Sequence, residues 1–126
     1  MLICLAYYYA MCNTPNVESS QDQSQLLKGV LDLAVLAVLA DEDGYGYDVV
    51  RRLREGGLEA VAEASVYGTL RRLFADGLLS SYVVPSDEGP HRKYYALTKD
   101  GRKRLVSMTS SWATFAEAVE RIVNRK

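Results

Sequence analysis

The sequence predicts an α+β fold, mostly helical, in a chain of 126 residues. Three observations support this class. Hydrophobic residues make up 48% of the chain, which is enough to build one core. Proline is scarce, at 3 residues, so long stretches lack helix breakers. The apolar spacing is helical up to Gly77, becomes strand-like, and is helical again after Thr98.

The first three predicted elements are short helices joined by tight turns. Residues 26–40 carry apolar side chains at helical spacing, and Gly44 is expected to form a left-handed turn that ends this helix. A second helix is predicted over about 47–54, and a third over 63–76. This arrangement predicts a helix-turn-helix core. The spaced apolar positions of the first helix are Leu27, Val30, Leu31, Ala34 and Val38.

A β-hairpin is predicted directly after the third helix. Residues 78–84 and 92–97 are rich in β-branched and aromatic side chains, and two prolines and a glycine separate them. A hairpin in this position is the wing of a winged helix. Strand alternation places Arg92 on the face opposite Lys93, and we expect Tyr95 to pack on the core.

The third helix has one apolar face and one face of small and basic residues. On a helical wheel the core side is Val66, Leu70, Leu73 and Phe74, and the outward side is Ala64, Ser65, Gly68, Arg71, Arg72 and Ala75. Small side chains let a helix enter the DNA major groove, where arginine pairs with guanine edges or phosphates. The alternative is that this face is only exposed to solvent and binds nothing. The basic wing beside the helix favours DNA binding.

The charge distribution fits this interpretation although the net charge is only −1. Residues 1–50 carry one basic and seven acidic side chains, whereas residues 51–104 carry eleven basic and seven acidic ones. A globally acidic protein can therefore present a local positive face.

The last predicted helix spans about residues 99–124, with Thr98 as its N-cap and Asp100 in its first turn. Its apolar residues are spaced alternately by three and four, as in a coiled-coil seam. A core of this size cannot bury the whole seam, so we expect a two-fold homodimer. The seam consists of Leu105, Met108, Trp112, Phe115, Val119 and Ile122.

Catalytic and metal-binding patterns are absent from the sequence. It has no GxSxG, P-loop or HExxH motif, and His91 is the sole histidine, which we interpret as a turn residue or phosphate contact. The run from Gly44 to Tyr47 is expected to be a turn with tyrosine packing, not a phosphate cradle. We therefore expect no enzyme activity, no cofactor and no metal.

The N-terminal 25 residues are interpreted as an extension of uncertain structure. Cys4 and Cys12 have no metal-ligand spacing, and the apolar segment 1–12 is shorter than the roughly 20 residues that span a bilayer. Residues 13–25 look like a polar linker. The leading segment is either an over-extended start or a loosely attached helix, and we expect a reduced, cytoplasmic protein without a membrane partner.

Four motifs in order resemble the PadR family of transcriptional regulators. They are Tyr45-Gly46-Tyr47-Asp48-Val49, residues 65–73 (SVYGTLRRL), residues 76–79 (DGLL), and residues 92–98 (RKYYALT) with Gly101. The resemblance covers about residues 26–124. It implies a winged helix-turn-helix DNA-binding domain over 26–98 and a C-terminal dimerisation helix over 99–126, as in the short members of the family.

The resemblance also implies a function and a set of sites. Family members bind palindromic operators as dimers, and a repressor is expected here, with a winged-helix protein–protein module as the alternative. Gly68 stands where many relatives have proline. The expected contacts to double-stranded operator DNA are Ser65, Tyr67, Gly68, Thr69, Arg71, Arg72, Arg92 and Lys93.

An effector site is also implied, because in drug-sensing short relatives a tryptophan at the position of Trp112 lines a hydrophobic pore between subunits. The corresponding pocket for a small hydrophobic or aromatic effector would consist of Leu33, Ala37, Trp112 and Ala116. Dimer packing alone is the other interpretation of Trp112, and the sequence leaves both open.

Overall fold

Helices form most of the fold, and a small antiparallel sheet completes it, so the predicted α+β class is confirmed. The computed structural model describes residues 19–86 and 89–125, and side chains from residue 26 onward. Within these residues the elements are α1 (Ser19–Asp41), β1 (Gly44–Tyr45), α2 (Gly46–Glu55), α3 (Glu63–Ala75), β2 (Leu79–Val84), β3 (Arg92–Leu97) and α4 (Lys99–Val123).

The first helix begins earlier than predicted. It starts at Ser19, so the last seven residues of the expected polar linker are helical. The later apolar turns of this helix are packed in the core, and a helix stabilised in this way can continue backwards through polar residues. This explains the difference. The predictions that concern residues 1–18, including Cys4 and Cys12, lie outside the described residues.

The expected left-handed turn at Gly44 is wrong. Among the described residues only Gly57 and Gly77 have positive φ, at 115° and 79°. Gly44 instead opens β1, where a Cβ atom would lie 2.1 Å from Nη2 of Arg52. Glycine is therefore required here for close approach and not for backbone handedness.

The core lies between the first three helices and the hairpin. Val35 and Leu36 of α1, Val49 of α2, and Val66 and Leu70 of α3 are completely buried. Each such side chain contributes about 1.5–3 kcal/mol through removal of apolar surface from water. This burial fixes the orientation of α3 and therefore determines which of its residues face solvent.

The sheet has the strand order β1-β3-β2, with both pairings antiparallel. The hairpin register runs from Leu79 opposite Leu97 to Val84 opposite Arg92. β1 pairs with β3 through Gly44 opposite Tyr95. This third strand was not predicted, because two residues are too few to carry a strand pattern, and it attaches the wing to the helical body.

Arg52 joins α2 to the end of α1. Its Nη1 donates hydrogen bonds to the carbonyl oxygens of Val38, at 3.1 Å, and Glu42, at 3.0 Å. Its Nη2 lies 3.1 Å from a carboxylate oxygen of Asp48. A cation at a helix C-terminus satisfies free carbonyls and interacts favourably with the helix dipole.

The start of α4 confirms the predicted cap. The Thr98 hydroxyl accepts a hydrogen bond from the Gly101 N–H at 3.0 Å and donates one to the Gly77 carbonyl at 2.8 Å. A Cβ atom on Gly101 would lie 2.1 Å from the carbonyl oxygen of Leu78. This glycine therefore allows α4 to begin directly against the chain that leaves α3.

Candidate nucleic-acid interface

The outward face of α3 consists of small residues and two arginines, as the helical wheel predicts. Ala64, Ser65, Ala75 and both arginines are exposed, and Gly68 is half-buried. A Cβ atom on Gly68 would have no neighbour within 4 Å. The middle of this face is therefore flat and open, so another molecule can approach the helix backbone closely.

Two residues of α3 differ from expectation. Phe74 was predicted on the core side, but it is 43% exposed. It lies about 80° around the helix from Val66, at the edge of the apolar face, since each residue advances about 100°. Thr69 was an expected DNA contact but is only 7% exposed and packs on the core side, which leaves its hydroxyl little access to a ligand.

The two neighbouring arginines of α3 have different environments. Arg72 makes two hydrogen bonds to the Asp32 carboxylate of α1, at 3.0 and 2.5 Å. These bonds are the main cause of the raised pKa of the Arg72 guanidinium. Within the described residues Arg71 has no such ion pair, and its side chain is exposed. Arg71 is therefore the arginine available to a ligand, while Arg72 joins α3 to α1.

The basic residues at the start of β3 lie over aromatic rings. The guanidinium carbon of Arg92 is 4.6 Å from the ring centroid of Tyr45. The Lys93 ammonium is 5.1 Å from the ring of Phe74 and 5.5 Å from the ring of Tyr95. Tyr95 is buried, which confirms its predicted place on the core. Cation–π contacts of this kind hold a cation in place without neutralising it.

A row of tyrosines supports the wing. The Tyr94 ring lies 5.5 Å from that of Tyr45 and 5.7 Å from that of Tyr82, measured between centroids. The Tyr82 hydroxyl donates a 2.7 Å hydrogen bond to the Asp43 carboxylate, which raises the pKa of Tyr82. β2 is thereby tied to the loop after α1, and the cations of β3 keep a defined position relative to α3.

A cavity of about 250 Å³ lies where the start of α2, the outer side of α3 and the beginning of β3 meet. It is open to solvent, and its lining combines aromatic rings with two cations. Gly46 forms part of its floor, where a Cβ atom would lie 2.0 Å from the ring of Tyr67. The cavity is lined by Tyr45, Gly46, Tyr47, Tyr67, Arg92, Lys93 and Tyr95.

The model of the transcriptional regulator PadR-like family matches residues 35–107, which include all three strands and α3. The chain belongs to the PadR-like family. Its members are transcriptional regulators, and the winged-helix fold described above is a DNA-binding fold. The predicted resemblance is thus confirmed.

Solved structures of similar proteins agree with this assignment. A PadR-like transcriptional regulator from Bacillus cereus has a TM-score of 0.72 at 32% identity, over 81% of this chain and 99% of that one. A Streptococcus transcriptional regulator has a TM-score of 0.70 at 36% identity, over 79% and 98%. A PadR family regulator from Eggerthella lenta has a TM-score of 0.76 at 29% identity, over 86% and 94%.

The seam of this PadR-family chain is largely uncovered in the single chain. Leu105 and Met108 are half-buried against the core. Towards the end of α4 the side chains are open, and Phe115 and Ile122 are 62% and 70% exposed. The Trp112 ring lies 6.5 Å from the Phe115 ring, centroid to centroid. The last three turns of α4 thus present a continuous apolar stripe to solvent.

The four residues expected to form an effector pocket lie on two helices that pack together, α1 and α4. Leu33 and Ala116 are half-buried, whereas Ala37 and Trp112 are exposed. The cavity described above lies elsewhere, beside the wing. The described residues of the single chain therefore leave the effector pocket a prediction.

Sequence reasoning missed several residues that shape the interface. Asp32 binds Arg72, and Asp43 accepts a hydrogen bond from Tyr82. Each pair is separated by about forty residues of sequence, so no local pattern reveals it. The run from Gly44 to Tyr47 is a recognisable signal in the sequence, but without β1 it predicts only a turn with tyrosine packing.

The described residues contain neither a candidate metal site nor a candidate membrane-spanning helix. No group of histidine, cysteine and acidic side chains there is arranged to hold a metal ion. Among the helices of the described part, none combines the length and apolarity needed to cross a membrane.

Proposed function

We propose that this chain is a transcriptional repressor that binds a palindromic operator as a homodimer, with α3 in the major groove and the wing on the DNA backbone. One observation carries the proposal: Arg71, which has no ion pair within the described residues, lies on an exposed face of small residues of α3, the helix whose Phe74 ring contacts the Lys93 ammonium of β3. A protein of this kind acts on chromosomal DNA, which fits the expected cytoplasmic location. The proposal requires no cofactor, metal or catalytic step.

The contacts have separate roles in this proposal. The exposed Ser65 and the half-buried Gly68, whose Cβ position is open, let α3 approach the bases. Arg71 donates to a guanine edge or a phosphate. Arg92 and Lys93 contact phosphates, which give affinity and register without reading sequence. Arg72 is assigned a supporting role because Asp32 already holds its guanidinium.

The exposed seam of α4 supports the dimer. A contiguous apolar stripe exposed to water marks a site of association with another molecule. The stripe on α4 includes Trp112, Phe115, Val119 and Ile122. A two-fold dimer places two copies of α3 on two half-sites, which corresponds to a palindromic operator. Linking the half-sites also raises affinity beyond that of one chain.

Release by an effector is the less direct part of the proposal. In a dimer the partly exposed Trp112 and its neighbour Phe115 would line a space between subunits, with Leu33, Ala37 and Ala116 at its edge. A hydrophobic ligand that favours one dimer geometry must weaken DNA binding if DNA favours another. Trp112 is the sole tryptophan, so its emission reports such binding directly. If planar aromatic compounds leave this emission unchanged, Trp112 serves packing alone.

Binding to the DNA upstream of the chain's own gene tests the proposal. Fluorescence anisotropy titrations at several salt concentrations should give an affinity that falls linearly on a log–log scale, by about 0.9 per phosphate neutralised. Scrambled DNA of the same length should bind more weakly. Absence of any salt-dependent binding would reject the repressor and favour the protein–protein module.

A further inference from the structure

The cavity beside the wing contains tyrosines that the proposed groove and backbone contacts do not use. Four of its lining residues are tyrosines, two are cations, and the floor is a glycine. We infer that this cavity seats one phosphate group of the DNA backbone, bound by Arg92, Lys93 and the hydroxyls of Tyr47 and Tyr67. The inference rests on the proposed function and names the chemistry of one of its contacts.

The location of the cavity limits its occupant. It lies at the junction of α2, α3 and β3, on the side that DNA would approach if α3 entered the major groove. A DNA backbone that passes α3 would have to cross this junction to reach the wing. The cavity is open to solvent, so a phosphate within a DNA strand can enter it from outside.

The side chains have the polarity that a phosphate requires. Arg92 and Lys93 supply positive charge, and both are held over rings that leave their N–H groups free to donate. Tyr47 and Tyr67 are 53% and 39% exposed, and no hydrogen bond of either hydroxyl is found within the described residues. Tyrosine hydroxyls and basic side chains are common donors to DNA phosphates.

Gly46 is required for this geometry. A methyl group at this position would fall 2.0 Å from the Tyr67 ring and force the ring to move. Gly46 thus allows the Tyr67 ring to lie directly against the backbone at the start of α2.

Conservative tyrosine variants separate this inference from its alternatives. Tyr47→Phe and Tyr67→Phe remove one donor each and keep the ring, so the fold should persist. We expect each to weaken binding about threefold to tenfold, on operator and scrambled DNA alike, with an unchanged salt slope. Arg92→Ala should lower the slope by about 0.9 because a cation is lost. Tyr94→Phe, outside the cavity, should bind as the unmodified protein does.

DNA carrying single methylphosphonates identifies the phosphate itself. At one position in each half-site, the neutral linkage should lower the DNA affinity of the unmodified protein. The same linkage should lower the affinity of the Tyr47→Phe variant very little further, because the contact is already weakened. Tyrosine variants that bind all DNA as tightly as the unmodified protein would overturn the inference and leave the repressor intact. If the unmodified protein binds no DNA, both fail together.

The same chemistry could come from free inorganic phosphate. Titration of phosphate against chloride at constant ionic strength, with DNA absent, addresses this by the shift of the tyrosine ring resonances in NMR spectra. We expect at most weak millimolar binding. Tight phosphate binding that the tyrosine variants abolish, without any effect on DNA affinity, would assign the cavity to a small anion and contradict the inference.

Discussion

At the scale of residues, the adjacent arginines of α3 are chemically alike but differ in their partners. Arg71 is unpaired within the described residues, whereas Arg72 is bound by Asp32. The helical wheel places both outward, and both are exposed. Sequence could not distinguish them, because the distinguishing carboxylate lies forty positions away on another helix.

This difference predicts opposite effects of two single substitutions. Arg71→Ala should weaken operator binding roughly fivefold to 150-fold, as expected for a lost base pairing worth about 1–3 kcal/mol, and leave the free energy of unfolding unchanged. Arg72→Ala should lower that free energy by less than about 1 kcal/mol, since the ion pair is partly solvated, and affect DNA less. Urea denaturation and anisotropy measure the two effects.

Asp32→Asn is the control for Arg72, since it breaks the ion pair without removing the arginine. It should reproduce the loss of stability. If Arg72→Ala weakens DNA binding as much as Arg71→Ala does while Asp32→Asn leaves binding intact, Arg72 contacts DNA and the division of roles is wrong.

At the scale of elements, α2, α3, α4, β2 and β3 lie within about one residue of their predicted bounds, whereas α1 begins seven residues earlier than predicted. Side-chain patterns and turn residues indicated these elements. They could not indicate β1, whose two residues are held by pairing with β3. The junction of β1, α2 and the wing therefore escaped prediction, although the order of the motifs already pointed to the family.

Gly68 gives α3 its sharpest test. Gly68→Glu should fold normally, because a Cβ atom there meets nothing, but it would place a bulky anion in the DNA-facing surface. We expect operator binding to fall at least tenfold. Gly29→Glu on α1 adds the same charge at an equally open helical glycine and should bind DNA nearly normally. Equal losses in both variants would show that net charge, not the surface of α3, is responsible.

Gly101 tests how α4 joins the winged helix. Replacing a helical glycine by alanine normally gains about 0.5–1 kcal/mol, and Gly29→Ala should do so. Gly101→Ala should instead cost about 1–3 kcal/mol, because its methyl group would meet the Leu78 carbonyl. Thermal unfolding at one protein concentration compares them. Equal melting temperatures would mean that α4 can shift away at no cost.

At the scale of the whole molecule, the chain leaves one apolar helix surface uncovered. Its core is closed, but the outer turns of α4 are not, and Trp112 lies in that open stripe. The sequence predicts more apolar surface in the seam than one small core can bury, and most of the seam is exposed in the single chain. Local patterns in the sequence do not specify how two chains would be placed relative to each other. They therefore do not predict which residues a second copy would cover.

The seam predicts a dimer that one charge can break. Val119→Asp would bury a carboxylate in an apolar interface at a cost of several kcal/mol and should give monomers in sedimentation experiments. Val106→Asp is the matched control, because Val106 is 71% exposed on the same helix but is not one of the seam residues. It should remain dimeric. An unmodified protein that is monomeric at micromolar concentration would refute the dimer.

The central claim is that two copies of α3, joined through α4, read two half-sites of one operator. Hydroxyl-radical footprinting of the unmodified protein on the DNA upstream of its gene tests this most directly. The account predicts two protected half-sites related by two-fold symmetry and centred about one helical turn, or a multiple of it, apart. Val119→Asp should lose both protections together at the same protein concentration. A single protected site that persists in Val119→Asp, or no protection at any concentration, would contradict it.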